Sequence, residues 1–65
     1  MKLIVNGDER ELGVRDLAEA LSALDYDDAI VATAVNGDFV PARARAATAL
    51  SEGDRIEIVS PRQGG

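Results

Sequence analysis

Apolar positions in this chain switch between two spacings, and the switches divide it into elements. Leu3, Ile4 and Val5 form a short apolar run that stops at Asn6-Gly7. Both turn residues tolerate positive φ, so the pair predicts a tight hairpin with residues 9–12 returning as a short second strand. From residue 14 the period changes. Val14, Leu17, Ala18, Leu21 and Leu24 recur three and four apart, which predicts a helix over about 14–24 with one apolar stripe. Asp16 is expected in its first turn, where a negative charge suits the helix dipole. Arg15 and Glu19 lie four apart on its outer face, in the less favourable order. After a loop at Asp25-Tyr26-Asp27-Asp28, residues 30–35 read as a strand. A second Asn-Gly pair at 36–37 turns it into Phe39-Val40, and Pro41 closes that strand because it cannot donate to a ladder.

The stretch from 42 to 49 favours helix by composition but is short, so it predicts a helical turn or an irregular connection. Gly53 marks a turn, and residues 55–60 alternate Ile56 and Ile58 with charged neighbours as the last strand, ended by Pro61. The order β-β-α-β-β-β implies an α+β fold: a mixed five-stranded sheet with its one main helix across one face. Ile4, Leu17, Leu21, Val35, Leu50, Ile56 and Ile58 are the expected core. Both faces of residues 30–35 are apolar or small, so their inward face stays open.

Sixty-five residues make one domain,, read as a folded unit over 1–60 and a flexible tail over 61–65. Twelve acidic residues against seven basic ones give a net charge of −5, a poor balance for binding nucleic acid, whose phosphates must be neutralised. No apolar stretch approaches the ~20 residues that span a bilayer, and the first apolar run is too short for a signal peptide. A soluble, cytoplasmic protein is expected.

Candidate reagents are few. There is no histidine, no cysteine and a single lysine, Lys2, so the usual nucleophile–base pairs are missing. Asp25, Asp27 and Asp28 match no calcium-loop spacing, and a solvated turn accounts for them. Arg43 and Arg45 offer contacts to a phosphate or a partner's carboxylates, or simply a solvated connection. What remains is the end of the chain. Gly64-Gly65 follows Arg62-Gln63, and no apolar side chain after Pro61 pins the segment down. Five residues reach at most ~17 Å, and a glycine pair lets the backbone enter a narrow cleft. A frayed terminus without a role is the plain alternative.

The opening KLIVNG, the segment AVNGDFVP at 34–41, the run EGDRIEIV at 52–59 and the terminal QGG at 63–65 together resemble the ThiS family of thiamine-pathway sulfur carriers, a branch of the ubiquitin-like β-grasp class. The resemblance covers essentially the whole chain, the helix mainly in pattern. It implies a carrier, not an enzyme, with no bound cofactor. An adenylyltransferase of the ubiquitin-activating type would use ATP and Mg to activate the Gly65 carboxylate. Sulfur derived from a cysteine desulfurase would convert it to a thiocarboxylate, and thiazole synthase would receive the sulfur. Gly65 would be the covalent site, with Gly64, Gln63 and Arg62 forming the approach. A one-layer sheet leaves the face away from the helix open. Phe39, Val59 and Ile30 are the expected contact residues there, a place in the core being the equal alternative for each, with Arg43 as a further contact. Two positions depart from the family pattern. Pro61-Arg62 stands where an apolar residue often precedes the diglycine, and Ala42 intervenes between Pro41 and Arg43. Carriers for molybdopterin, cysteine or tRNA thiolation share these features, as would a ubiquitin-like modifier or interaction domain.

Overall fold

The computed structural model describes residues 1–26 and 30–60. The strands are β1 (Lys2–Val5), β2 (Asp8–Glu11), β3 (Ala32–Val35), β4 (Asp38–Val40) and β5 (Arg55–Val59). The described residues also form one α-helix, α1 (Leu17–Ala23), and one 3-10 helix (Ala42–Ala47). The five strands form one mixed sheet in the order β2-β1-β5-β3-β4. β5 lies at the centre, parallel to β1 and antiparallel to β3.

Two Asn-Gly turns make the flanking hairpins. Asn6 and Gly7 have φ of 50° and 87°, and Asn36 and Gly37 have 52° and 88°. Positive φ at both central residues gives the turn whose twist matches paired strands. The outer strand β2 is exposed along its whole length and reads Asp-Glu-Arg-Glu, a charged edge that discourages pairing with another sheet.

The helix begins at Leu17, three residues later than its periodicity suggests, because Asp16 is its cap. The Asp16 carboxylate accepts from the Glu19 N–H at 2.9 Å, satisfying one of the orphan donors of the first turn. The Leu17 N–H donates to the Thr48 carbonyl at 3.0 Å, and Asp16 forms an isolated antiparallel bridge with Ala49. Val14 and Arg15 therefore precede the helix. Arg15 still meets Glu19, at 2.9 Å, but as a closing contact: the other Glu19 oxygen accepts the Arg15 N–H at 2.7 Å. The Asp16-x-x-Glu19 pattern is a capping box, shifted by one residue at its return bond. At the other end Asp25 sits at φ 69°. The Tyr26 and Asp25 N–H groups return to Leu21 and Ser22 carbonyls, a Schellman motif with aspartate in the place glycine usually takes.

Leu3, Val5, Leu17, Ala20, Leu21, Val40, Leu50, Ile56 and Ile58 form the buried core. Ile4, expected inside, faces the other side of the sheet and is only half-buried. β1 is apolar at three consecutive positions, and its pairing with β5 selects Leu3 and Val5 for the interior. Val35 is half-buried against the core rather than within it. Ala20, a small residue on the inner side of α1, is fully buried. In β3 the inward residue is Thr33, and its hydroxyl donates to the Val40 carbonyl at 2.8 Å and accepts from Arg45 Nε at 3.0 Å. Arg45 also reaches the Val31 carbonyl at 2.7 Å, so this arginine ties the 3-10 helix to the sheet.

Candidate functional site

Because α1 and the 3-10 helix cover one face of the sheet, the side chains of opposite parity form the other. Register places them together: Ala34 opposes both Phe39 and Glu57, Ala32 opposes Val59, and Ile4 opposes Arg55. Phe39 is 69% exposed and Val59 57%. Between them Ala32 and Ala34 leave a shallow depression bordered by Glu57. A second depression on this face runs from Ile4 and Asn6 to Arg55, Glu57 and Val59. Exposed apolar side chains set among small residues and rimmed by charge are the pattern of a surface used for protein contact.

Phe39 and Val59 thus share one face, as their sequence context suggests. Ile30 is 82% exposed and stands before β3, outside the paired register. Arg43 lies elsewhere: it is exposed on the 3-10 helix, where it borders a groove with Ala18, Leu21 and Tyr26 on the helix side. Gly65, Gly64, Gln63 and Arg62 lie outside the described residues, as do Asp27 and Asp28. Ile4, Ala32, Ala34 and Glu57 join the face without having been singled out. The alternation of β5 places Glu57 with Val59 once Ile56 and Ile58 are assigned inward. Ile4 carries no comparable signal.

Among the described residues no three histidine, cysteine, aspartate or glutamate side chains are grouped to hold a metal ion. No helix there is long and apolar enough to cross a membrane. Two hairpins flanking a central strand, with a helix over one face and the other open, define a ubiquitin-like β-grasp domain. The ThiS family model matches residues 3–65, and the chain belongs to that family of thiamine-pathway sulfur carriers.

Solved relatives agree. The crystal structure of the thiamine biosynthesis protein ThiS from Geobacter metallireducens superposes with a TM-score of 0.83 at 33% identity, covering 100% of both chains. An NMR solution structure of a thiamine biosynthesis protein from the same organism gives a TM-score of 0.79 at 30% identity, over 100% of this chain and 88% of the other. A thiazole synthase of Paramagnetospirillum magneticum is 39% identical over 61 residues. That match takes in 92% of this chain but 19% of the longer protein.

Proposed function

We propose that residues 61–65 form a tail whose terminal Gly65 carboxylate carries sulfur as a thiocarboxylate for construction of a thiazole ring. The observation that carries this reading is the extent of the family match, which runs through Gly64-Gly65 to residue 65. The domain supplies a handle, and the reactions are performed on its end by partners.

A carboxylate is a poor electrophile, so it must first be activated. In the proposed sequence a Gly65 oxygen attacks the α-phosphorus of ATP and pyrophosphate leaves. The terminal sulfur of a persulfide, supplied by cysteine desulfurase chemistry, then attacks the acyl carbon and displaces AMP. A thiol cleaves the resulting S–S bond and leaves the thiocarboxylate. ATP and Mg belong to the adenylating partner. Gly64 gives the slender approach, and Gln63 and Arg62 dock the tail by hydrogen bonds and charge. Phe39 and Val59, with Ile4 and the two alanines between strands, form the contact face. Ile30 and Arg43 are contacts at its margin and on the opposite side.

The thiazole synthase relative, in which a segment like this chain forms part of a longer polypeptide, supports thiazole synthase as the acceptor. Joining donor and acceptor in one chain raises their effective concentration, an advantage only if they act together. The test is intact-mass analysis after incubation with the activating enzyme, ATP and a sulfur donor. One terminal oxygen is replaced by sulfur in the full chain and not in a variant lacking Gly65. No replacement with a competent enzyme, or equal replacement in the shortened chain, overturns the proposal.

A further inference from the structure

Val5-Asn6-Gly7-Asp8 and Val35-Asn36-Gly37-Asp38 are the same four residues at the tips of the two hairpins. Each asparagine reaches sideways onto the central strand, at opposite ends of it. Asn36 acts at the entry to β5: its side-chain oxygen accepts from the Arg55 N–H at 3.0 Å, and its amide donates to an Asp54 carboxylate oxygen at 3.0 Å. Asn6 acts at the exit. Its side-chain oxygen accepts from the Ile58 N–H at 2.8 Å, and its amide donates to the Ile58 carbonyl at 3.1 Å. The parallel pairing of β1 with β5 ends at Val5 opposite Ile56, followed by an Asn6 N–H bond to the Ile56 carbonyl at 2.9 Å. Beyond that point β1 turns away, and one carboxamide takes both main-chain groups of Ile58 in place of a strand.

From this geometry we infer that Asn6 is a positioning residue for the carrier's reaction: it holds the end of β5, the strand that leads into residues 61–65. The other flank of that strand end is held by β3, through Ala32 opposite Val59. With Asn6 in place both flanks are fixed. Without it Ile58 loses the two bonds that hold it on the β1 side. The inference rests on the function proposed above, because the benefit of a fixed exit lies in delivering the terminal carboxylate to a partner's cleft. Asn6 borders the depression beside Ile4 and Val59, but Phe39 and the two alanines lie on β4 and β3, which it does not touch, so most of the contact face keeps its place. Release of Asn6 therefore lowers turnover of the docked carrier more than its docking.

Asn36 supplies a matched control. Asn6→Gly and Asn36→Gly each remove one carboxamide, and glycine accepts the positive φ at either site. Both variants are compared for pyrophosphate release with the activating enzyme and ATP, and for amide hydrogen exchange and backbone relaxation. In Asn6→Gly, kcat is expected to fall about tenfold while KM stays within about twofold, since misplacing a reacting group costs rate even when binding is kept. Exchange at the Ile58 amide quickens. In Asn36→Gly the Arg55 amide exchanges faster and kcat is unchanged. Asn6→Asp, which keeps the acceptor but loses the donor, falls between wild type and Asn6→Gly. Equal kcat losses in the two glycine variants, or an unchanged kcat in Asn6→Gly with Ile58 released, overturn the inference. If the wild-type carrier releases no pyrophosphate, the proposed function fails instead. Relaxation at Val59 then decides the positioning itself: greater mobility in Asn6→Gly than in Asn36→Gly supports it, and equal mobility overturns it.

Discussion

Arg45 donates to the hydroxyl of Thr33 at 3.0 Å, and that hydroxyl in turn donates to the Val40 carbonyl. Thr33 is 2% exposed, the one buried polar side chain among the described residues. Its contacts join β3, β4 and the 3-10 helix. Thr33→Val keeps the shape but leaves the guanidinium N–H and the Val40 carbonyl short of a partner. A loss of about 1–3 kcal/mol is expected, measured by urea unfolding. Arg43→Ala, at an exposed position two residues from Arg45, should stay within about 0.5 kcal/mol of wild type. Equal losses would show that the bonds made through Thr33 are worth no more than the contacts of the exposed Arg43.

The left-handed Asp25 offers a gain. A non-glycine residue at φ 69° pays a steric cost, and a carboxylate at a helix C-terminus opposes the dipole. Asp25→Gly relieves both and should raise stability by about 1 kcal/mol, seen as a higher melting temperature. A lower one would mean that the carboxylate has a stabilising contact.

The facing of β1 is tested by two neighbours. Leu3 is fully buried and Ile4 half-buried on the open face. Leu3→Ala should cost about 2–5 kcal/mol, a large share of what a chain this small has. Ile4→Ala should cost about 1 kcal/mol or less. Denaturant titration in an Asp25→Gly background keeps both variants measurable, and a reversed order would invert the assigned facing.

Acid reports on the start of the helix. The Arg15 guanidinium, bonded to the Glu19 carboxylate, and the Arg15 N–H hold its pKa below the usual glutamate value. A depressed folded pKa means the contribution is present above the ordinary glutamate pKa and is lost as pH falls through the lower folded value. Glu19→Gln should therefore be less stable than wild type at neutral pH, with the gap closing in acid. A gap independent of pH would assign the effect to the neutral hydrogen bond alone.

On the open face, Phe39→Asp and Val59→Asp should each weaken binding to the activating enzyme by at least about tenfold, as read by calorimetry. Their melting temperatures should change little, since neither side chain is in the core. Binding unchanged in both variants would move the contact to another surface.

The sequence by itself determined the elements, because each is specified by local chemistry. Asn-Gly pairs can turn with both residues at positive φ, Pro41 ends its strand, and Leu17 and Leu21 sit four apart on one helical face. The Asp16-x-x-Glu19 cap was equally legible, and the apolar period running back to Val14 masked it. Tertiary structure alone decided which side of β1 faces the core, since Leu3, Ile4 and Val5 are equally apolar and only their register against β5 separates them. It also decided that Phe39, Ala34 and Val59 share a face while Arg43 stands behind it, and that Asn6 meets Ile58 at a sequence separation of 52. Such contacts depend on strand order, and strand order is set by how the whole chain buries its apolar surface.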